Sequence, residues 1–332
     1  MSTQPISTQA DRDTLDLLVR QIRFEGRGIH SYELVDPEGA PLPPFTAGAH
    51  VDIHLAGGVV RQYSISNAPR ERHRYVIAVL RDERGRGGSK ALHEQWRVQD
   101  IVRVSRPRNN FRLVDGARRV LLIAGGIGVT PLKAMAHELE DAGVDYEMHY
   151  CAKDASCAAF AEEFEPMRAN GRLHFHFDGG DPSAGLDIRD LLNQPRDGEH
   201  VYYCGPGGFM KACAEAAEHW PSGTVHFEHF KAPERGPGEQ AANDALDSFT
   251  VRIASTGQDI EVSKEESIAD ALAQAGVAME TSCCAGLCGT CKVRYLEGEV
   301  EHNDYILSDE EKTGYLTACV SRATSKVLVL DL

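Results

Sequence analysis

The sequence predicts a multidomain chain: a small antiparallel β-barrel, then an α/β domain with a parallel sheet, then a short domain around a cysteine loop. Three observations predict it. Short β-rich segments separated by glycine and proline fill residues 1–115. Apolar strands alternate with helical stretches from Arg118 to about Phe230. Five of the nine cysteines fall in the last fifty residues, four of them between Cys283 and Cys291.

In the barrel, SYELVD, HVDIHL, VVRQYSI, RYVIAVLR and DIVRVSRP alternate or carry β-branched residues, and PPFTAGAH and DERGRGGS separate them. KALHEQW reads as one short helix. On VVRQYSI, Arg61 offers a guanidinium fork for phosphate, Tyr63 a flat ring and Ser64 a short hydroxyl. Gly85–Ser89 adds a turn rich in free amides. Solvent-facing positions on a strand would equally explain the tyrosine and arginine.

The α/β domain opens with RRVLLIAGG, a buried-type strand ending in glycine. VTPLKAMAHELEDAG is a helix stopping at Gly143, VDYEMHYCA a strand, and CAAFAEEFEPMRANG a second helix. LHFHF, EHVYYCG and TVHFEHF are later strands, with FMKACAEAAEHW helical between the last two. Gly125-Gly126-Ile127-Gly128 turns from strand into helix, which aims backbone amides at a phosphate; Pro131 suits the first helical turn. Cys204-Gly205-Pro206 ends a second strand of the same sheet, so the two loops can meet across a crevice. Taken alone, the glycine run could be an ordinary tight turn and Cys204 an ordinary buried thiol. His149, His174, His176 and His226 lie on or near the strands and read as structural.

Residues 231–246 are rich in Pro, Gly and Ala and read as a linker. In residues 247–332, SFTVRI and DIEVS form a hairpin, SIADALAQAG a helix, and CKVRYLEGEV and KVLVLDL strands. Cys283, Cys288 and Cys291 are spaced C-x4-C-x2-C, with Cys319 following alone. That is the plant-type [2Fe-2S] spacing, and Gly286 and Gly289 allow a tight loop whose amides point inward. A four-thiolate zinc site is the alternative, although zinc ligands more often come in close pairs.

Formal net charge is -15 over 332 residues, which argues against nucleic acid as a partner. The first 115 residues carry 17 Lys and Arg against 14 Asp and Glu; residues 247–332 carry 7 against 15. An acidic C-terminal domain suits docking on a basic protein. No run of eighteen apolar residues spans a membrane, and MSTQPISTQADRDT lacks the basic and apolar parts of a signal peptide, so the cytoplasm is expected.

Together, RQYS, GRGGS, GGIGVTP, YCGP, HFEHF and the cysteine spacing resemble the phthalate dioxygenase reductase family over nearly the whole chain. The resemblance implies an antiparallel six-stranded flavin-binding β-barrel (1–115), an α/β nucleotide-binding domain (116–230) and a C-terminal β-grasp plant-type ferredoxin domain (247–332). Arg61 would bind the flavin phosphate, Tyr63 pack on the isoalloxazine and Ser64 approach its N5 edge. Gly87, Gly88 and Ser89 would form the FMN-phosphate loop. Gly125, Gly126, Gly128 and Thr130 would face flavin and nicotinamide. Cys204, Gly205 and Pro206 would lie against the nicotinamide, and Phe230 would cap the flavin. Ser64, Thr130 and Cys204 are thus the expected catalytic residues, and Cys283, Cys288, Cys291 and Cys319 the cluster ligands.

The implied activity is hydride transfer from NADH to FMN, then single electrons through [2Fe-2S] to a separate terminal oxygenase, a Rieske non-haem iron enzyme. FMN is favoured over FAD by the GRGGS loop. NADH is favoured over NADPH by Asp154, near the expected adenosine ribose, although Lys153 pulls the other way. The alternatives are a reductase for a cytochrome-type or di-iron monooxygenase, or a non-catalytic NADH-responsive iron–sulfur sensor. One departure stands out: Cys284 occupies a position that is often acidic in the family.

Overall fold

The computed structural model describes residues 14–85, 87–232 and 246–332, and divides into two compact units between Phe230 and Lys231. Most of the expected linker, 233–245, lies outside the described residues, as do 1–13 and Arg86.

The first unit holds two sheets. One has six antiparallel strands: β1 (Thr14–Gly26), β2 (Ile29–Val35), β3 (His50–His54), β4 (Val60–Ser64), β5 (Tyr75–Leu80) and β6 (Ile101–Ser105), in the order β4-β3-β6-β1-β2-β5. Its ends meet through an antiparallel bridge between Ile65 and Ile77, which closes the sheet on itself and removes its free edges. Leu17, Val19, Tyr32, Val51, Ile53 and Val104 fill the interior. Helix α1 (Gly88–Gln95) contributes Leu92 to that core.

β1 escaped the sequence reading. Its pairing with β2 shifts register between Val19 and Gln21 and again between Phe24 and Gly26. Each bulge breaks the period of two on which strand recognition rests.

The other sheet is parallel, with strands β7 (Arg119–Gly125), β8 (Asp145–Ala152), β9 (Leu173–Phe177), β10 (Glu199–Cys204) and β11 (Val225–Glu228) in the order β11-β10-β7-β8-β9. Val120, Leu122, Ala124 and Tyr202 join one core with α2 (Val129–Ala142). Leu121, Ile123, Val201 and Tyr203 join another with Leu192, Met210 and Trp220. Alternate residues thus bury against opposite helical layers, which is why these strands read as continuous apolar runs.

α2 ends as expected at Gly143, in the left-handed region with φ 69°. The helix expected over 157–171 is corrected: only α3 (Glu165–Ala169) is helical. Phe160 sits at φ 61°, which interrupts a right-handed helix, and Pro166 suits only a first turn. Two short helices, α4 (Ile188–Leu192) and α5 (Gly207–Ala216), follow.

The barrel is bolted to the α/β layer. Ile29, Ala47, Ala78 and Phe111 share the core of α2. The buried Lys133 ammonium donates to the Ser66 carbonyl at 3.2 Å and pairs with Glu163 at 2.9 Å.

The second unit is a mixed sheet with order β13-β12-β18-β14-β16, built from β12 (Phe249–Ile253), β13 (Asp259–Val262), β14 (Lys292–Glu297), β16 (Tyr315–Thr317) and β18 (Val327–Leu330). The final strand β18 runs parallel to β12 and joins the two halves, as in a β-grasp. A two-stranded ladder, β15 (Val300–Glu301) with β17 (Arg322–Ala323), lies beside it in sequence. Helix α6 (Ile268–Gln274) starts with a reciprocal Ser267–Asp270 capping box and buries Ile268, Ala271 and Leu272. α7 (Asp309–Lys312) is a single capped turn.

Candidate cofactor sites

Three of the sequence-predicted groups converge on the barrel strand β4. Gly88 lies so close to Arg61 that a Cβ there would sit 2.6 Å from Arg61 Cγ and 2.7 Å from Nε. The glycine loop and the guanidinium are therefore one site. Gly87, at φ 82°, turns the chain into α1, whose N-terminus has no side-chain cap. Its first amides and Arg61 make a cradle that fits a phosphate. Ser89 Oγ accepts from the Asp82 amide at 3.0 Å and so shapes the loop. Tyr63 is half-buried against the barrel core; burial pushes its phenol up to about 12, so it is a neutral ring at working pH.

Ser64 is buried, and its hydroxyl acts electrostatically on Glu228 at the end of β11. Glu228 pairs in register with Cys204, at the end of β10. Burial pushes the Glu228 carboxyl up to about 8, with the Ser64 hydroxyl opposing, and its Oε2 is buried with no partner. Burial also pushes the Cys204 thiol well up, with Glu228 adding to the effect, so this sulfur is a neutral SH. Glu228 was missed by sequence reasoning. Its signal was a carboxylate within the aromatic run HFEHF, at the carboxyl end of a parallel strand.

The two glycine loops touch, as expected for the carboxyl ends of β7 and β10, where the strand order switches. A Cβ on Gly128 would lie 2.7 Å from the Gly205 amide, and one on Gly125 2.9 Å from Pro206 Cδ. A Cβ on Gly205 would approach Gly125 Cα at 3.0 Å. Gly126 takes φ 52°. Thr130 is buried and its hydroxyl donates to the Ile127 carbonyl at 3.1 Å, holding the turn. Pro206 and Phe230 are exposed; Phe230 retains 39% of its surface. An apolar ring left open at the end of unit one suits stacking on a planar group.

Asp154, just past β8, accepts from the Ser156 amide at 2.9 Å. Of the expected histidines, His149 pairs with His176 at 3.0 Å, and His226 pairs with His200, which the sequence reading did not single out, at 3.1 Å. His174 lies 3.2 Å from Glu147. His226 also stacks on Tyr202, with centroids 4.3 Å apart.

In the second unit the four expected ligand sulfurs gather. Cys291 and Cys319 are 3.1 Å apart at sulfur, and the Cys283 thiol interacts electrostatically with Cys288 and Cys319. The arrangement is two thiols beside two thiols. Among the described residues no three His, Cys, Asp or Glu side chains enclose a point suited to one metal ion. Two pairs fit a two-iron cluster, which takes two thiolates on each iron. The Leu287 amide points at Cys283 Sγ at 3.4 Å, and the Ser282 hydroxyl is buried without a partner beside it. Gly286 at φ 69° packs where a Cβ would lie 2.8 Å from Val320 and 3.0 Å from Asp304 Cα. Cys284 is exposed, at φ 49°, outside this set.

Residues 251–324 match the family model described as a 2Fe-2S iron-sulfur cluster binding domain. The reductase subunit of tert-butanol monooxygenase / tert-amyl alcohol desaturase from Aquincola tertiaricarbonis is 54% identical, covering 97% of both chains. Vanillate O-demethylase oxidoreductase from Pseudomonas sp. (strain HR199 / DSM 7063) is 43% identical, covering 96% of this chain and all of its own. A solved phthalate dioxygenase reductase is similar in fold, with a TM-score of 0.72 and 40% identity, over 97% of this chain and 99% of that one. Four paired thiols, a guanidinium–glycine cradle and abutting glycine loops occur here in one chain of matching length, and the chain belongs to the phthalate dioxygenase reductase family, the reductase components of Rieske-type oxygenases and demethylases.

Proposed function

We propose that this chain is the NADH-dependent reductase component of a two-component Rieske oxygenase or demethylase system, with working module limits 1–115, 116–230 and 247–332. The carrying observation is the end-to-end match to phthalate dioxygenase reductase, 97% of one chain against 99% of the other, which brings all three modules together. When bound, FMN and [2Fe-2S] supply the conversion of a two-electron hydride into single electrons, which side chains cannot perform.

The chain's own residues hold and shield. Arg61, Gly87, Gly88 and the α1 amides would hold the FMN phosphate. Tyr63 and Phe230 would present flat faces to the ring. Gly125, Gly128 and Gly205 let the two loops abut, and Gly126 and Pro206 would line the dinucleotide at the sheet edge. Thr130 fixes the glycine turn. Glu228 holds a proton near neutral pH and so adds no charge beside Ser64. Cys204 packs as a neutral thiol, an apolar wall that excludes water. Cys283, Cys288, Cys291 and Cys319 would hold the cluster, with the Leu287 amide offsetting negative charge on the Cys283 sulfur.

No described helix is long and apolar enough to cross a membrane. We place the reaction in the cytoplasm, where reduced thiols persist. The 54% identical relative makes a tert-alcohol monooxygenase the first oxygenase partner to test, ahead of aromatic-acid and methoxy-aromatic enzymes. Anaerobic purification with analysis for FMN, iron and acid-labile sulfide, then NADH-driven turnover with such an oxygenase, tests this reading. A preparation that reduces dyes but no Rieske oxygenase refutes the partner. One lacking flavin and sulfide refutes the function.

A further inference from the structure

We propose that Arg27, on the barrel turn between β1 and β2, is a coenzyme-specificity residue that reaches the adenosine-ribose end of the dinucleotide site. The proposal rests on the reading that the dinucleotide lies along the carboxyl edge of the parallel sheet. In such sheets the end of the strand after the glycine turn meets the adenosine ribose, and a carboxylate there takes the ribose hydroxyls. Here that strand is β8, and the carboxylate is Asp154.

The cation facing this carboxylate is not the neighbouring Lys153. Lys153 runs over the 179–180 turn, where its Cε lies 3.2 Å from the Cβ position of Gly180. Arg27 faces it instead: Arg27 Nη2 stands 3.6 Å from Asp154 Oδ2 and donates to Ser156 Oγ at 2.8 Å. Ser156 in turn donates its hydroxyl to Asp154 Oδ1 at 2.5 Å.

The backbone fixes this arrangement. The Arg27 amide donates to the Ser156 carbonyl at 2.6 Å. Gly26 packs so close that a Cβ would lie 2.9 Å from the same carbonyl oxygen, and Gly28 at φ 71° completes the turn. Nothing in the closure of the barrel requires its turn to reach the end of β8; the contact brings a barrel residue to a nucleotide loop.

Both charged groups remain open, with 65% of the Arg27 and 40% of the Asp154 side chain exposed. An exposed ion pair of this kind is worth little by itself, so a ligand can claim either partner cheaply. Ribose hydroxyls would engage Asp154. A 2′-phosphate would be repelled by Asp154 but offered a planar, permanently charged fork by Arg27. Coenzyme preference is then a balance across one ion pair, with Asp154 favouring NADH and Arg27 favouring NADPH.

Steady-state dye reduction by the full chain with each coenzyme tests this. Arg27→Ala should lower the NADPH-to-NADH ratio of kcat/KM by about tenfold, the worth of one charge-assisted contact. The change should fall on KM, and Arg27→Lys should restore part of it. Arg27→Glu should lower the ratio further, and Asp154→Asn should raise it. An equal loss with both coenzymes, or no change in the ratio, overturns the role of Arg27 alone. Failure of the wild-type chain to oxidise either coenzyme would instead overturn the reading of the dinucleotide site.

Discussion

Gly128→Ala isolates the contact between the two glycine loops. Gly128 has φ -62°, an ordinary helical value, so alanine brings no backbone strain there. Its added methyl, however, would meet the Cys204 carbonyl and lie 2.7 Å from the Gly205 amide, all rigid backbone. The tightest clash is 2.2 Å to the Cys204 carbonyl oxygen, and such contacts relax near 3.5 Å, so the loops must part by about 1.3 Å. Overpacking of this kind costs about 1–3 kcal/mol of stability. A displacement near 1 Å at reacting groups costs on the order of 100-fold in rate. Anaerobic stopped-flow flavin bleaching by NADH should slow by that order, while FMN and iron contents stay near wild type. Gly143→Ala is the control: at the far end of α2, its φ of 69° imposes strain of about 1–2 kcal/mol, but no atom stands within 4 Å of the new methyl. If Gly128→Ala reduces flavin at the wild-type rate, the two loops do not jointly frame the nicotinamide.

Glu228→Gln should flatten a pH dependence. The native carboxyl keeps its proton up to about pH 8, whereas the unfolded one loses it near 4.5. Stability from this group is therefore complete below pH 4.5 and falls through pH 8, at up to about 1.4 kcal/mol per pH unit before solvent screening. Thermal melts from pH 4 to 9 check it, and parallel curves for the two proteins would refute it. Cys319→Ser should abolish acid-labile sulfide and oxygenase turnover but keep NADH-driven dye reduction; Cys284→Ser should keep the cluster. Retained sulfide in Cys319→Ser would mean that the fourth ligand is misassigned. Cys284→Glu places a negative charge beside the cluster loop and should lower the midpoint potential, damped by the exposure of this position; an unchanged or raised value in potentiometry contradicts that.

Residues whose pattern is local were legible in the sequence. RRVLLIAGG, EHVYYCG and the capped SIADALAQAG carry their periods and stops within a dozen residues. The cysteine spacing was legible because a cluster demands its own ligand geometry. What failed was what the chain decides at a distance. β1 lost its alternation to two bulges whose register is set by β2. The 157–171 segment has good helix formers, but Phe160 in the left-handed region breaks it into turns that pack on Tyr150 and α2. Glu228 gains its shifted proton affinity only because the end of β11 is buried where the sheets meet, against the opposing pull of Ser64. Arg27 meets Asp154 across 127 positions, a contact that no window of sequence contains.

The central claim is that electrons from NADH reach a thiolate-bound two-iron group in this chain. The direct measurement is an anaerobic NADH titration of the purified protein followed by electron paramagnetic resonance. The account predicts a rhombic signal that grows with added NADH and is absent in Cys319→Ser. Bleaching of the flavin with no such signal, in a protein shown to hold iron and sulfide, would contradict it.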